Sequence, residues 1–193
     1  MWRNSMQKIL FILTALIGLL LSGCASKPQL VAPQQITHNQ HTYTLATQQD
    51  LGNLARFFYL EEGESVENWK SAVELLFDRN PMQVSLDDRI ALRQRVYKNT
   101  GVKHFKLQQQ QETLYSFVIY EPTVKNNDWQ VDVAKGKGIA GCGFVQYQYS
   151  LKIPKSKKLR HMKNEKVIRY LKKYVVEKEM KHIKQVAWQW MCA

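Results

Sequence analysis

Residues 139–153 (IAGCGFVQYQYSLKI) carry the pattern that most restricts the fold. Val145, Tyr147, Tyr149, Leu151 and Ile153 fall on one side, and Phe144, Gln146, Gln148 and Ser150 on the other. Alternation at period two is the signature of a strand with one buried face. The Gln/Ser side is then expected to be solvated, as in an antiparallel sheet with one open face. A strand of this length needs several partners and an apolar covering layer to be stable.

Partners are available in both directions. Residues 41–47 (HTYTLAT), 55–60 (ARFFYL), 104–108, 113–121 and 128–134 all read as extended. In 66–80, Trp69, Ser71, Val73, Leu75 and Phe77 alternate with Lys70, Ala72, Glu74 and Asp78, which predicts a strand, with a helix as the alternative. The short spacings suggest an antiparallel meander. Ser85 precedes LDDRIALRQRVY, and Asp88 three residues on resembles a capping box. Asp87 and Asp88 early, with Arg93, Arg95 and Lys98 late, suit a helix dipole, and Gly101 ends it. A second helix is expected over 165–181, with Ile168, Leu171 and Val175 as its buried stripe. In 183–191, Val186, Trp188 and Trp190 recur at period two and favour a closing strand; a continued helix would instead group Ile183, Ala187 and Trp190. The expected architecture is a single α+β domain over 41–193: a mainly antiparallel sheet of about five to seven strands with two helices. With 45% apolar residues in a 193-residue chain, such a body can build a core without a metal or a disulfide.

The first 24 residues carry an address. Arg3 and Lys8 precede an apolar run from Ile9 to Leu21, interrupted only by Thr14 and Gly18. That run is about 20 Å long as a helix, short of the ~30 Å hydrocarbon core, so it reads as an export signal rather than a membrane span. Leu21-Ser22-Gly23-Cys24 follows. These four residues resemble the lipobox of bacterial lipoproteins. The resemblance implies cleavage after residue 23 and acyl chains on Cys24. Two or more chains would make attachment stable. Ala25 follows where such proteins kept in the inner membrane often carry an aspartate, so the resemblance points to the outer membrane. Residues 24–40, with Pro28, Pro33 and five amide side chains, read as a flexible lipidated tether with a reach of roughly 20–25 Å.

The charge is uneven. The chain carries +12 overall. Residues 24–123 hold 10 Lys/Arg against 11 Asp/Glu, whereas residues 124–193 hold 16 against 5. The positive excess is densest over 152–184. A solvated helix face explains part of it. The functional reading is a surface for an anionic partner, formed by Lys155, Lys157, Lys158, Arg160, Lys172, Lys173, Lys181 and Lys184. Nucleic acid is not the expected partner of a domain held outside the cytoplasm.

Catalytic signatures are weak. With Cys24 acylated, Cys142 and Cys192 remain in a compartment that permits disulfides, and a bridge between them is the expected state. Gly136, Gly138 and Gly141 spell the spacing of a dinucleotide motif, yet GFVQYQYSL after them reads as a strand where a helix is required. A hairpin is the expected structure there. His38 and His41 could hold adventitious metal only, and His161 and His182 read as surface. Glu61, Glu62, Glu64 and Glu67 read as a solvated turn, and Trp188 and Trp190 as core. No metal, cofactor or catalytic residue is expected. The sequence thus points to a lipid-anchored, non-enzymatic binding protein of the outer membrane. The alternatives are an accessory lipoprotein of a secretion or conjugation apparatus and an envelope hydrolase.

Overall fold

The computed structural model of the chain describes residues 27–188 and 190–193. The expected signal segment and Cys24 lie outside the described residues. Two four-stranded meanders make one antiparallel sheet. The first contains β1 (Gln35–His38), β2 (His41–Asp50), β3 (Leu54–Leu60) and β4 (Ser71–Asp78). The second contains β5 (His104–Gln110), β6 (Thr113–Tyr120), β7 (Trp129–Ile139) and β8 (Gly143–Ile153). They join through their last strands, in the order β1-β2-β3-β4-β8-β7-β6-β5. The sheet therefore has eight strands, which corrects the expectation of five to seven. The added strand is β1, four residues from the stretch read as tether. Its amide-rich sequence hid Ile36 and His38, which point into the core at 4% and 2% exposure.

The tether reading fails from Pro28 onward. The Pro28 carbonyl accepts from Arg79 Nε at 3.0 Å, and Gln29 Oε1 accepts from the same guanidinium. Asp50 binds that guanidinium through both carboxylate oxygens, at 3.0 and 2.8 Å, and the pairing holds the Asp50 carboxyl below its ordinary range. Leu30 is buried and forms a bridge with Cys192, while Val31 N donates to Met191 O at 2.9 Å. The two ends of the folded body are thus stitched side by side.

One face of the sheet holds the apolar core, including Tyr43, Tyr59, Val73, Leu75, Phe77, Val133, Val145 and Tyr147. It is covered by a C-terminal helical run: α3 (Asn164–Leu171), a π-helical segment (Lys172–Val176) and α4 (Glu177–Gln185). The π segment adds a residue to the turn. The buried stripe therefore steps from Leu171 to Val176, and Val175, expected inside, is half-buried. The stripe then continues through Glu179 and Ile183. Among the described residues, no strand forms over 183–191, where a closing one was expected: α4 runs on to Gln185, and Val186 caps it. Lys135, buried on β7, donates its ammonium to the Val186 carbonyl. A cation at that end of a helix opposes the negative pole of its dipole. Trp190 is buried and stacks on Tyr147 with centroids 5.9 Å apart.

The opposite face departs from its expected solvation. Helix α1 (Leu86–Asn99) connects the meanders and lies across it. Ser85 caps α1 by accepting from Asp88 N, as the sequence implies. None of its residues is fully buried, and its hold is mostly polar, with Tyr97 against the Phe105 ring at 4.9 Å. Arg89 pairs with Asp78 at 2.7 Å and sits over the Phe144 ring, and Arg93 donates to Gln146. Gln146 and Ser150 are consequently buried, at 7% and 5% exposure, as is Asp132 at 8%.

Candidate functional site

Two surfaces on the body have chemistry that a partner could use. The first is the outer side of the C-terminal helices. The inward stripe of Val167, Ile168, Leu171, Val176 and Ile183 fixes the rotation of the run. Lys163, Lys166, Arg169, Lys172, Lys173, Lys178, Lys181 and Lys184 are thereby left exposed. Among the described residues, Lys178 alone of these lies within ion-pair distance of an acid, 3.8 Å from Glu179. Tyr170 and Tyr174 stand on the same side, 39% and 55% exposed, with rings 5.1 Å apart. Lys173 reaches over Tyr174, and Lys184 over Tyr115 of β6. Lys155 lies exposed in the loop after β8, and Lys157 and Arg160 bound the short helix α2 (Lys157–Arg160), which also carries Lys158. The eight residues picked from sequence therefore fall in two groups: Lys155, Lys157, Lys158 and Arg160 in the loop after β8 and in α2, and Lys172, Lys173, Lys181 and Lys184 on one helical run.

The second surface was missed by sequence reasoning. A cleft of about 420 Å³ opens on the polar face of the sheet, beside α1. Its base is made by side chains from neighbouring strands. Asp132 of β7 accepts from Gln130 Nε2 at 2.8 Å and from Gln148 Nε2 at 3.4 Å. Gln148 also donates to Ser150 Oγ at 3.1 Å. Across the cleft, Arg56 of β3 pairs with Glu74 of β4 at 2.6 Å. Phe58 and Trp69 meet edge to face, 5.9 Å apart, and Lys152 Nζ lies 4.0 Å from the Trp69 ring centroid. Burial pushes the Asp132 carboxyl up to about 6, against the pull of its hydrogen bonds from Gln130 and Ser150; the nearby Glu74 charge adds to the rise. A carboxyl so perturbed in a cleft is a mark of functional sites. Its only trace in sequence is an aspartate in the extended stretch WQVDVA.

The remaining candidates resolve as structure. Cys142 and Cys192 form a disulfide with Cα atoms 5.7 Å apart. Gly136 and Gly138 belong to β7, and Gly141 to the turn before β8, so the three-glycine spacing ends in a hairpin. Gly136 is needed because a Cβ there would stand 2.6 Å from the Phe144 ring. His38 and His41 point to different partners. His38 stacks on Tyr149 at 4.0 Å, shares a hydrogen bond with Tyr147 at 2.9 Å and faces Glu179 at 3.7 Å, whereas His41 meets Glu61 at 3.1 Å. Glu61 is bound rather than loose: it accepts from Ser71 at 2.7 Å and Tyr43 at 3.2 Å. Ser71, then His41 and Tyr43, hold its carboxyl below the ordinary range in spite of partial burial. His182 also turns inward, 3.4 Å from Glu179, while His161 is exposed. Trp188 is half-buried between the ammonium groups of Lys135 and Lys137. Among the described residues, no helix is long and apolar enough to cross a membrane.

Comparison with known proteins places the chain among relatives. A protein-family model matches residues 30–188, and the chain belongs to that family. A Haemophilus influenzae protein described as "Uncharacterized protein" is 46% identical over 194 residues, spanning 97% of this chain and 99% of its own length. No solved structure matches.

Proposed function

We infer that this chain is a lipid-anchored, non-catalytic protein of the bacterial outer membrane, whose C-terminal helices bind an anionic surface. The observation that carries the reading is the row of lysines on α3, the π segment and α4, held outward by the rotation of the helix; among the described residues Lys178 alone of them has an acidic partner. Lysines near an anionic lipid surface contribute about 1 kcal/mol each. Tyr170 and Tyr174 beside them suit the headgroup level, where amphipathic rings gather. The anchor supports the same geometry. Pro28 is already bound by Arg79, so acyl chains on Cys24 would hold the body within about 14 Å of chain from the lipid, at ~3.5 Å per residue. At full stretch this exceeds the Debye length of about 8 Å at physiological salt, so the lysines bind where the tether lets the body lie closer to the surface.

The test has two parts. The mass of the natural product should equal the chain from Cys24 plus acyl groups. An intact leader, or an unmodified start beyond Cys24, removes the anchor. The Cys24→Ser chain should sediment with vesicles containing phosphatidylglycerol at about 50 mM salt and release by about 500 mM. Lys172→Glu, Lys173→Glu and Lys181→Glu together should weaken binding by about 100-fold or more. Equal binding to purely zwitterionic vesicles would reject the cationic face as the contact.

A further inference from the structure

We propose that the cleft between the Arg56–Glu74 pair and Asp132 is a binding site for one or two sugar units of a carbohydrate chain. The inference is independent of the cationic helix, which packs on the other face of the sheet.

Four observations point to a polyhydroxylated ligand. The cleft has the volume of a small-molecule site and is about half polar in character, with a few convergent groups. Those groups are of the right kind. Glu74 and Asp132 offer carboxylate acceptors; Gln130 and Gln148 each carry an acceptor and two donors; Ser150 and Thr47 can do both. A sugar hydroxyl also donates and accepts, so a ring of adjacent hydroxyls meets such a lining without leaving polar atoms unpaired. The wall opposite is apolar: Trp69 and Phe58, held edge to face, can cover the C–H side of a pyranose.

The fourth observation removes competitors. The cleft lies on the face of the sheet, where the main chain of β3, β4, β7 and β8 is already paired. A peptide therefore finds no free strand edge to extend. Arg56 is matched by Glu74 at 2.6 Å, so a phosphate or carboxylate ligand meets no unpaired guanidinium. The base is also preorganised. Arg93 of α1 holds Gln146, Gln146 donates to Gln148, and Gln148 bridges Asp132 and Ser150. Side chains fixed before binding lose less entropy when a ligand arrives. The raised Asp132 carboxyl follows from the same dry base.

The full chain, labelled with 5-fluorotryptophan in detergent, gives a direct test by fluorine NMR, with Trp69→Phe assigning the Trp69 resonance. The probes are chitotriose, maltotriose and, as a control, trialanine. At least one of the two sugars should move the Trp69 resonance in a saturable way while the other tryptophan resonances stay in place. Gln148→Ala and Glu74→Gln should each weaken that response about tenfold or more, with the unmoved resonances showing that the fold is kept. The proposal is overturned if neither sugar moves Trp69, if trialanine moves it as well as the sugars do, or if the response survives both substitutions.

Discussion

Asp132 allows a test in which the sign is fixed before the experiment. Its carboxyl is 8% exposed and rises from 3.8 to about 6 on folding, chiefly through burial. The native state therefore binds a proton more tightly than the unfolded chain does. Stability from this residue is greatest below the unfolded value and declines as pH rises from about 4 to about 6, then levels off. At about 1.4 kcal/mol per pKa unit, the loss across that window is about 3 kcal/mol. Asp132→Asn replaces the group by a neutral amide of the same shape. Near pH 4 it should match the parent, because both side chains are then uncharged. Near pH 7.5 it should be more stable by about 3 kcal/mol, less whatever the second hydrogen-bonded oxygen contributes. Urea unfolding at a series of pH values measures both midpoints. The quantity to plot is the difference between the two proteins, since Asp50 and Glu61, with carboxyls held low, act in the opposite direction in each. A difference that is flat with pH, or a variant less stable at pH 7.5 than at pH 4 relative to the parent, would refute a dry, strained carboxyl.

Three further outcomes are expected. Replacing Cys142 and Cys192 by alanine should lower unfolding free energy by up to about 4 kcal/mol, from the 50-residue separation they close; alkylation of the native protein that tags two thiols would refute the bridge. Gly143→Ala should cost about 1–3 kcal/mol in urea unfolding, because φ is +144° there and a Cβ would collide with the Asp78 carbonyl; an unchanged midpoint would show that the hairpin sits elsewhere. Glu179→Gln should destabilise above pH 5 and matter little near pH 3. Burial acts to raise the Glu179 carboxyl, but the His38 imidazole facing it at 3.7 Å and the hydrogen bond from Asn39 outweigh it and hold it low, so its stabilisation is lost as pH falls; equal effects at both pH values would contradict that ordering.

What could be read in advance follows from how each element is held. β4 and β8 bury a strictly alternating face against the C-terminal helices, and alternation is visible in a string of letters. The capped start of α1 was legible too, because Ser85 and Asp88 act on neighbouring backbone. The burial of Gln146, Ser150 and Asp132 was not. The helix on that face is held by Arg89, Arg93 and Tyr97; the side shared by Ile90, Arg93 and Tyr97 can be read in its sequence, but which strand residues it would bury cannot. β1 was hidden by its brevity, and its pairing with β2 only becomes favourable once Ile36 and His38 meet a core assembled from distant residues. The π segment shifted the stripe from Val175 to Val176, a change of one residue that a fixed helical period cannot anticipate. The cationic surface was legible as a charge excess, whereas the cleft needed five strands in register before its members met.

The stitching of Leu30 to Cys192 sets the path of mechanical load. Tension drawn through the first residues of the body enters at Pro28 and Leu30. From Leu30 it crosses to the neighbouring tail and, through the Cys142–Cys192 bond, reaches the turn between β7 and β8. Those strands lie inside the sheet, flanked by β6 and β4. A pull on the amino end is thus shared between the edge strand β1, which follows in the chain, and a covalent route into interior strands.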